Sequence, residues 1–269
     1  MALMFVCSLG IGFCVSFTFS GEEIAEPASY WTVLLFLIPF GAITAIFLLF
    51  IRMKLESILI HVIMLMSWFL LLATLILLFI WLLPFMASLV LATALTLVLV
   101  FFFYFTRAKE WTRNIVGVMG GGGAIGVLGT SVSVYPLMVI MVILAIYDGL
   151  AVYKTKHMFE IADKAVEGHL PILLSLPKES SEGGDEDGNE ERSTMLMGLG
   201  DIIIPGTFVI SALTFVGPVA AISALGGIGV GMFLLFKAIS KGGQAGLLFL
   251  NTGGIVSYFV YLGLSSIFL

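Results

Sequence analysis

The 269-residue chain is 60% hydrophobic and 11% charged, with a mean hydropathy of +1.17, whereas a soluble domain carries about 25% charged residues. A soluble globule is excluded, and because the apolar runs are continuous rather than alternating, so is a closed barrel; the expected fold is all-α, a polytopic membrane protein. The net charge of −5 is held in a few loops, and no basic stripe with interleaved aromatic residues points to nucleic acid.

Residues 1–19 are apolar with no positive start, and Gly21-Glu22-Glu23 follow. They read as a first transmembrane helix, the alternative being a cleaved signal peptide, and both readings put residues 20–30 on the outer face. Cys7 and Cys14 are the only cysteines; they share one face of this run as buried packing residues rather than a disulfide. Span 2 runs over 31–51 and stops at Arg52-Met53-Lys54. Span 3 covers 58–82, and Pro84 turns the chain into span 4 at 85–106. A basic connection with Arg107, Lys109 and Arg113 leads into span 5 at 115–133, which holds Gly117, Gly120 to Gly123, Gly126 and Gly129. Small residues at that density let helices approach closely in lipid; a flexible gate is the other reading, since glycine weakens a helix.

Pro136 opens span 6, which carries Tyr147-Asp148 and leaves the membrane at Lys154 and Lys156. Residues 156–168 are amphipathic, with Met158, Ile161, Ala162 and Ala165 on one face, which suits a helix lying in the interface. Leu170 to Leu176 are apolar but too short to span. Residues 177–194 hold seven acids, three glycines and no aromatic residue, the composition of a disordered, solvated linker. Span 7 starts near Met195 and carries Gly198-Leu199-Gly200-Asp201 and Pro205. Span 8 runs from Pro218 to Lys237 and span 9 from Gln244 to the C-terminus, nine spans in all. The chain so divides into a six-helix part (1–176), a linker (177–194) and a three-helix part (195–269).

All twelve Lys and Arg residues fall in connections on one side if the N-terminus is inside. By the positive-inside rule the N-terminus and the 154–194 connection are cytoplasmic and the C-terminus is outside; the expected location is the cell membrane.

Two lone acids break the apolar runs, at a cost of roughly 2.5–3.5 kcal/mol each on insertion scales. Asp148 lies six residues before Lys154, and Asp201 six residues after Met195. At 1.5 Å rise per residue both sit about 9 Å below the same surface, so antiparallel neighbours can set the carboxyls side by side. Gly198 and Gly200 would remove the side chains holding span 7 away from span 6. Pro205 has no N–H, so the Asp201 carbonyl lacks its helical partner; the helix is either loosened beside the acid, freeing carbonyls for a substrate strand, or merely kinked. Two carboxyls at close range in low dielectric cannot both ionise, so one stays protonated while the other can activate water against a peptide carbonyl. The same pair can relay protons or bind ions in a carrier or channel, and the acids alone do not separate the two readings. A membrane scaffold leaves both costly acids unexplained.

Tyr147-Asp148 in span 6 and Gly198-Leu199-Gly200-Asp201 in span 7, with nine spans and a hydrophilic connection between spans 6 and 7, resemble the presenilin and signal peptide peptidase family of intramembrane aspartyl proteases. The resemblance implies an aspartic endopeptidase acting on transmembrane helices, with Asp148 and Asp201 as catalytic pair and Tyr147, Gly198, Leu199 and Gly200 shaping the site. The family's Pro-Ala-Leu segment falls at Ala245-Gly246-Leu247, which retains only Leu247; the lost proline bears on substrate handling more than on chemistry. The orientation resembles the presenilin arrangement rather than the inverted signal peptide peptidases. With no large extra domain, the chain looks like a compact archaeal-type homologue. The expected partners are transmembrane peptides and lipid, with no obligatory subunit and a homo-oligomer left open. The resemblance further implies self-cleavage within 170–194.

Other chemistries lack their residues. His61, His157 and His169 make no His-Glu-x-x-His, and no cofactor or metal is expected. Ser131 and Ser133 lie near the outer face, while His157 and His169 lie at the inner one, and His61 reads as a packing or interface residue. The span 5 glycines have no following Lys-Ser or Lys-Thr to cradle phosphate.

Overall fold

The computed structural model describes residues 1–19, 38, 56–105, 109–150, 173–177, 194–239 and 245–268. All but one residue of the expected second span, the amphipathic stretch 156–168 and the acidic run 178–193 lie outside these. Eight helices are described: α1 (Ala2–Phe19), α2 (Glu56–Phe79), α3 (Phe85–Phe105), α4 (Lys109–Ser131), α5 (Val134–Leu150), α6 (Gly200–Phe215), α7 (Pro218–Ile239) and α8 (Gly246–Phe268). Two strands, β1 (Leu173–Pro177) and β2 (Thr194–Gly198), lie between α5 and α6.

Among the described residues, five helices are long and apolar enough to cross a membrane: Ala2–Phe19, His61–Phe79, Phe85–Phe105, Pro218–Ala238 and Gly246–Ile267. Val134–Leu150 and Gly200–Phe215 are apolar but shorter. α4 begins earlier than expected and draws Lys109 and Arg113 into its first turns, with Arg113 buried rather than in a loop. The outward faces of α2 and α3 carry Leu65, Met66, Phe69, Met86 and Leu97, all well exposed; apolar side chains turned outward suit a lipid surface. Cys7 and Cys14 are free and lie on the exposed face of α1 rather than packed inside. The inner face of α1 is built by Phe5, Ser8, Gly12 and Val15.

α4 runs through the centre, touching α1, α2, α3, α6 and β1. Its glycines are sites of close approach. A Cβ at Gly126 would lie 2.6 Å from the Gly12 carbonyl oxygen of α1, and one at Gly129 2.6 Å from Ile210 of α6. Gly123 is similarly closed off by Thr74 of α2. Packing therefore accounts for these glycines. α6 is the other central helix, with residues 205–212 all buried and α1, α4, α5, α7 and α8 around it. It ends at Gly217, whose φ of 132° suits glycine, and Pro218 starts α7 with its preset φ.

The strands correct the expectations for both sides of the linker. The short apolar run before it becomes β1, and Met195, expected as the start of span 7, lies in β2. The two pair antiparallel, with Leu173 opposite Gly198 and Pro177 opposite Thr194. Five-residue apolar segments are too short to span as helices, and mutual pairing satisfies their backbone groups instead. Helix begins only at Gly200.

Candidate active site

Asp148 sits in the last described turn of α5 and is only 4% exposed. Asp201 is the second residue of α6 and partly buried. Of the five residues from Met195 to Leu199 all but the last are strand, which rises about 3.3 Å per residue rather than 1.5 Å. Counting helical depth from Met195 therefore does not locate Asp201.

What brings the acids together is the start of α8. The Leu247 backbone N–H donates to Oδ2 of Asp148 at 3.1 Å. Leu247 is the second residue of α8, so this N–H is one of the first-turn donors with no partner inside the helix. A carboxylate from another span satisfies it, as a capping side chain would. One residue earlier, Gly246 lies against the other acid: an added Cβ would stand 2.5 Å from Oδ2 of Asp201. Consecutive Cα atoms are about 3.8 Å apart, so both carboxyls meet one short stretch of backbone, and Asp148 is near enough to act on Asp201 electrostatically. Gly198 also lies beside the Asp201 carboxyl.

Ala245, fully buried, and Gly246 thus lie at the acids, and Leu247 joins an apolar layer with Ile140 and Leu144 of α5 and Ile204 of α6. Among the described residues Gly198 and Gly200 make no close approach to α5. Nothing among the described residues lies within 4 Å of a Cβ added at position 200, and one added at position 198 meets only Asp201, at an ordinary 3.6 Å. The close approach of α6 is made instead to α4, where Leu199 lies 3.0 Å from a Cβ added at Gly121 and Ile125 lies 2.6 Å from one added at Gly206. Tyr147 is half-exposed beside Asp148. α6 continues helically through Pro205, which is buried.

Sequence reasoning missed Asn251. It is fully buried in α8, one turn after Leu247, and its Nδ2 donates to the Met141 carbonyl of α5 at 2.9 Å. A lone carboxamide in an apolar span was the signal available. Among the described residues no group of three or more His, Cys, Asp or Glu side chains comes together as a metal site. A groove of about 740 Å³ between α7 and α8 is lined by Gly227, Val230, Gly231, Thr252 and Val256, among others, and reaches neither acid.

This fold and site define a helical, multi-pass membrane protein in which two buried or half-buried acids from neighbouring helices converge on a third helix's N-terminus. The family profile described as signal-peptide peptidase, presenilin aspartyl protease matches residues 1–267, and the chain belongs to that family. Two solved structures are similar in fold, both of a presenilin family intramembrane aspartate protease. The one in space group C222 is 24% identical, with a TM-score of 0.70 and 97% of each chain covered. The one in P2 is also 24% identical, with a TM-score of 0.66, covering 97% of this chain and 96% of the other. Comparison with curated protein sequences gives no match. The fold is presenilin-like, and the chain is an integral membrane protein of an intramembrane aspartyl protease family.

Proposed function

We propose that the protein is an intramembrane aspartyl endopeptidase that hydrolyses peptide bonds of transmembrane helices, with Asp148 and Asp201 as its catalytic pair. The observation that carries the reading is the meeting of both carboxyls at Gly246 and Leu247. A pair sharing one proton can work as base and acid together. The unprotonated carboxyl takes a proton from water as the water oxygen bonds to the scissile carbonyl carbon, and the protonated one donates to the carbonyl oxygen. Collapse of the tetrahedral intermediate breaks the C–N bond as the leaving nitrogen is protonated. The roles belong to the pair, which titrates as a unit.

A helical substrate has its carbonyls occupied and must open before attack. β2, running straight into the turn before Asp201, offers backbone groups beside the acids, and the Asp201 carbonyl has no donor at Pro205. The reading includes nine spans, a cytoplasmic N-terminus and 154–194 connection, an outside C-terminus in the cell membrane, and activity without an obligatory subunit. The orientation in that reading is supported by the distribution of the Lys and Arg residues.

The test is cleavage of a transmembrane reporter peptide by purified protein in liposomes. Asp148→Asn and Asp201→Asn should each lower the rate by roughly 10²–10⁴-fold or more while unfolding temperatures stay near that of the parent. Cleavage persisting in both variants overturns the reading. Ion flux lost on either substitution, and indifferent to transition-state peptide inhibitors, would assign the acids to transport instead.

A further inference from the structure

We infer that Asn251 is a positioning residue for the acid pair, fixing the rotation of α8 so that Leu247 presents its N–H to Asp148 and Gly246 faces Asp201; this rests on the protease reading. Asn251 lies four residues after Leu247 and so on the same face of α8, while Met141 lies seven residues, about two turns, before Asp148 on one face of α5. The hydrogen bonds Leu247 N–H to Asp148 Oδ2 and Asn251 Nδ2–H to the Met141 carbonyl therefore form two rungs between antiparallel helices. Between them lies the apolar layer of Ile140, Leu144, Leu247 and Ile204.

Such a layer specifies rotation weakly in a membrane, because lipid tails are as apolar as the side chains and give no hydrophobic force between helices. Interhelical hydrogen bonds are what can fix rotation. Asn251 is suited to this and to little else. Met141's carbonyl is an acceptor, so the nitrogen of the carboxamide must face it. The other end, Oδ1, is buried with no hydrogen-bond partner among the described residues. Burying an unsatisfied acceptor is costly, and an apolar residue would avoid that cost. The cost is sustained where a side-chain donor of α8 reaches the helix that carries Asp148. On the opposite side α8 is tied to α7 by Ser257 and Ser223, whose hydroxyls bond each other and each other's carbonyls. That link holds the helix in place without touching the acids.

The experiment compares Asn251→Leu, of nearly the same shape, with Ser257→Ala in liposomes. Asn251→Leu should lower kcat at least 10-fold with KM within 2-fold, and should speed deuterium exchange at the Leu247 amide. Ser257→Ala should leave kcat within 2-fold. Should Asn251→Leu fail to fold, Asn251→Ala, which removes the rung without adding bulk, carries the same expectations. An Asn251 variant with parental kcat, or parental exchange at Leu247, overturns the inference. If the parent cleaves no reporter while exchange at Leu247 still rises in the variant, the protease reading fails and the positioning of α8 by Asn251 stands.

Discussion

At residue 246 a single methyl group separates this chain from the Pro-Ala-Leu pattern its family resemblance leads one to expect. Glycine there leaves room for the Asp201 carboxyl, and a Cβ would come to 2.5 Å from Oδ2, well inside ordinary contact. The atom in the way is the end of a side chain, so Gly246→Ala should fold, with the carboxyl pushed aside rather than the helix. Displacing a reacting group by about 1 Å can cost on the order of 100-fold, so we expect reporter cleavage to fall by roughly 10- to 100-fold with little change in thermal stability. Gly229→Ala on α7, where an added Cβ meets nothing within 4 Å among the described residues, should cleave at the parental rate. Equal rates for the two variants would mean that Asp201 has slack at this contact. The acids themselves were legible in the sequence because each is a lone charge in an apolar run. Asn251 breaks its run in the same way, but a neutral carboxamide is cheaper to bury than a carboxylate and so stands out less.

Among the elements, α4 decides how closely the helices can come together. Its glycine face lets α1 approach until backbone meets backbone: a Cβ at Gly126 would be 2.6 Å from the Gly12 carbonyl oxygen and 2.7 Å from Val15 Cβ. A carbonyl fixed in a helix cannot swing away as the Asp201 carboxyl can. Gly126→Ala should therefore force α1 outward and destabilise the protein by about 1–3 kcal/mol, the usual cost of overpacking. The readout is a lower unfolding temperature in detergent. Gly10→Ala on α1, with nothing within 4 Å of the added Cβ among the described residues, should lose none. That span 5 packs through its glycines was readable from their density. The strands were not. Met195-Leu196-Met197 is an apolar run leading into apolar residues that are helical, and a run that short has no period of its own to tell strand from helix. Its conformation is decided by Leu173–Pro177 across the acidic stretch, a pairing that residue types alone do not announce. The meeting point of the acids was hidden for a related reason. It depends on the free N–H groups at the start of α8, and backbone donors leave no mark on a sequence.

For the molecule as a whole, the acidic stretch 178–193 divides the chain but not its core. One continuous cluster takes Phe5, Ile125 and Met141 from before the stretch, and Ile202, Phe208, Leu250 and Tyr258 from after it. Contacts of α6 with α1, α4 and α5, and of α8 with α5, cross the same divide, and β1 with β2 closes it like a clasp. The site itself is split, Asp148 before and Asp201, Gly246 and Leu247 after. A break in the backbone between β1 and β2 removes none of these contacts, and in the membrane neither fragment can escape by dissolving in water. We therefore expect a recognition site for a specific protease, placed between residues 178 and 193 and cut in purified protein, to yield two fragments that elute together in mild detergent and cleave the reporter at a rate within about 2-fold of the uncut chain. The same fragments should arise without added protease if the pair cuts its own connection, and should be absent from Asp148→Asn. Should the cut fragments separate on gel filtration, the intact connection is holding the two acids together, and the packing of α6 and α8 against α1, α4 and α5 is not enough to do so.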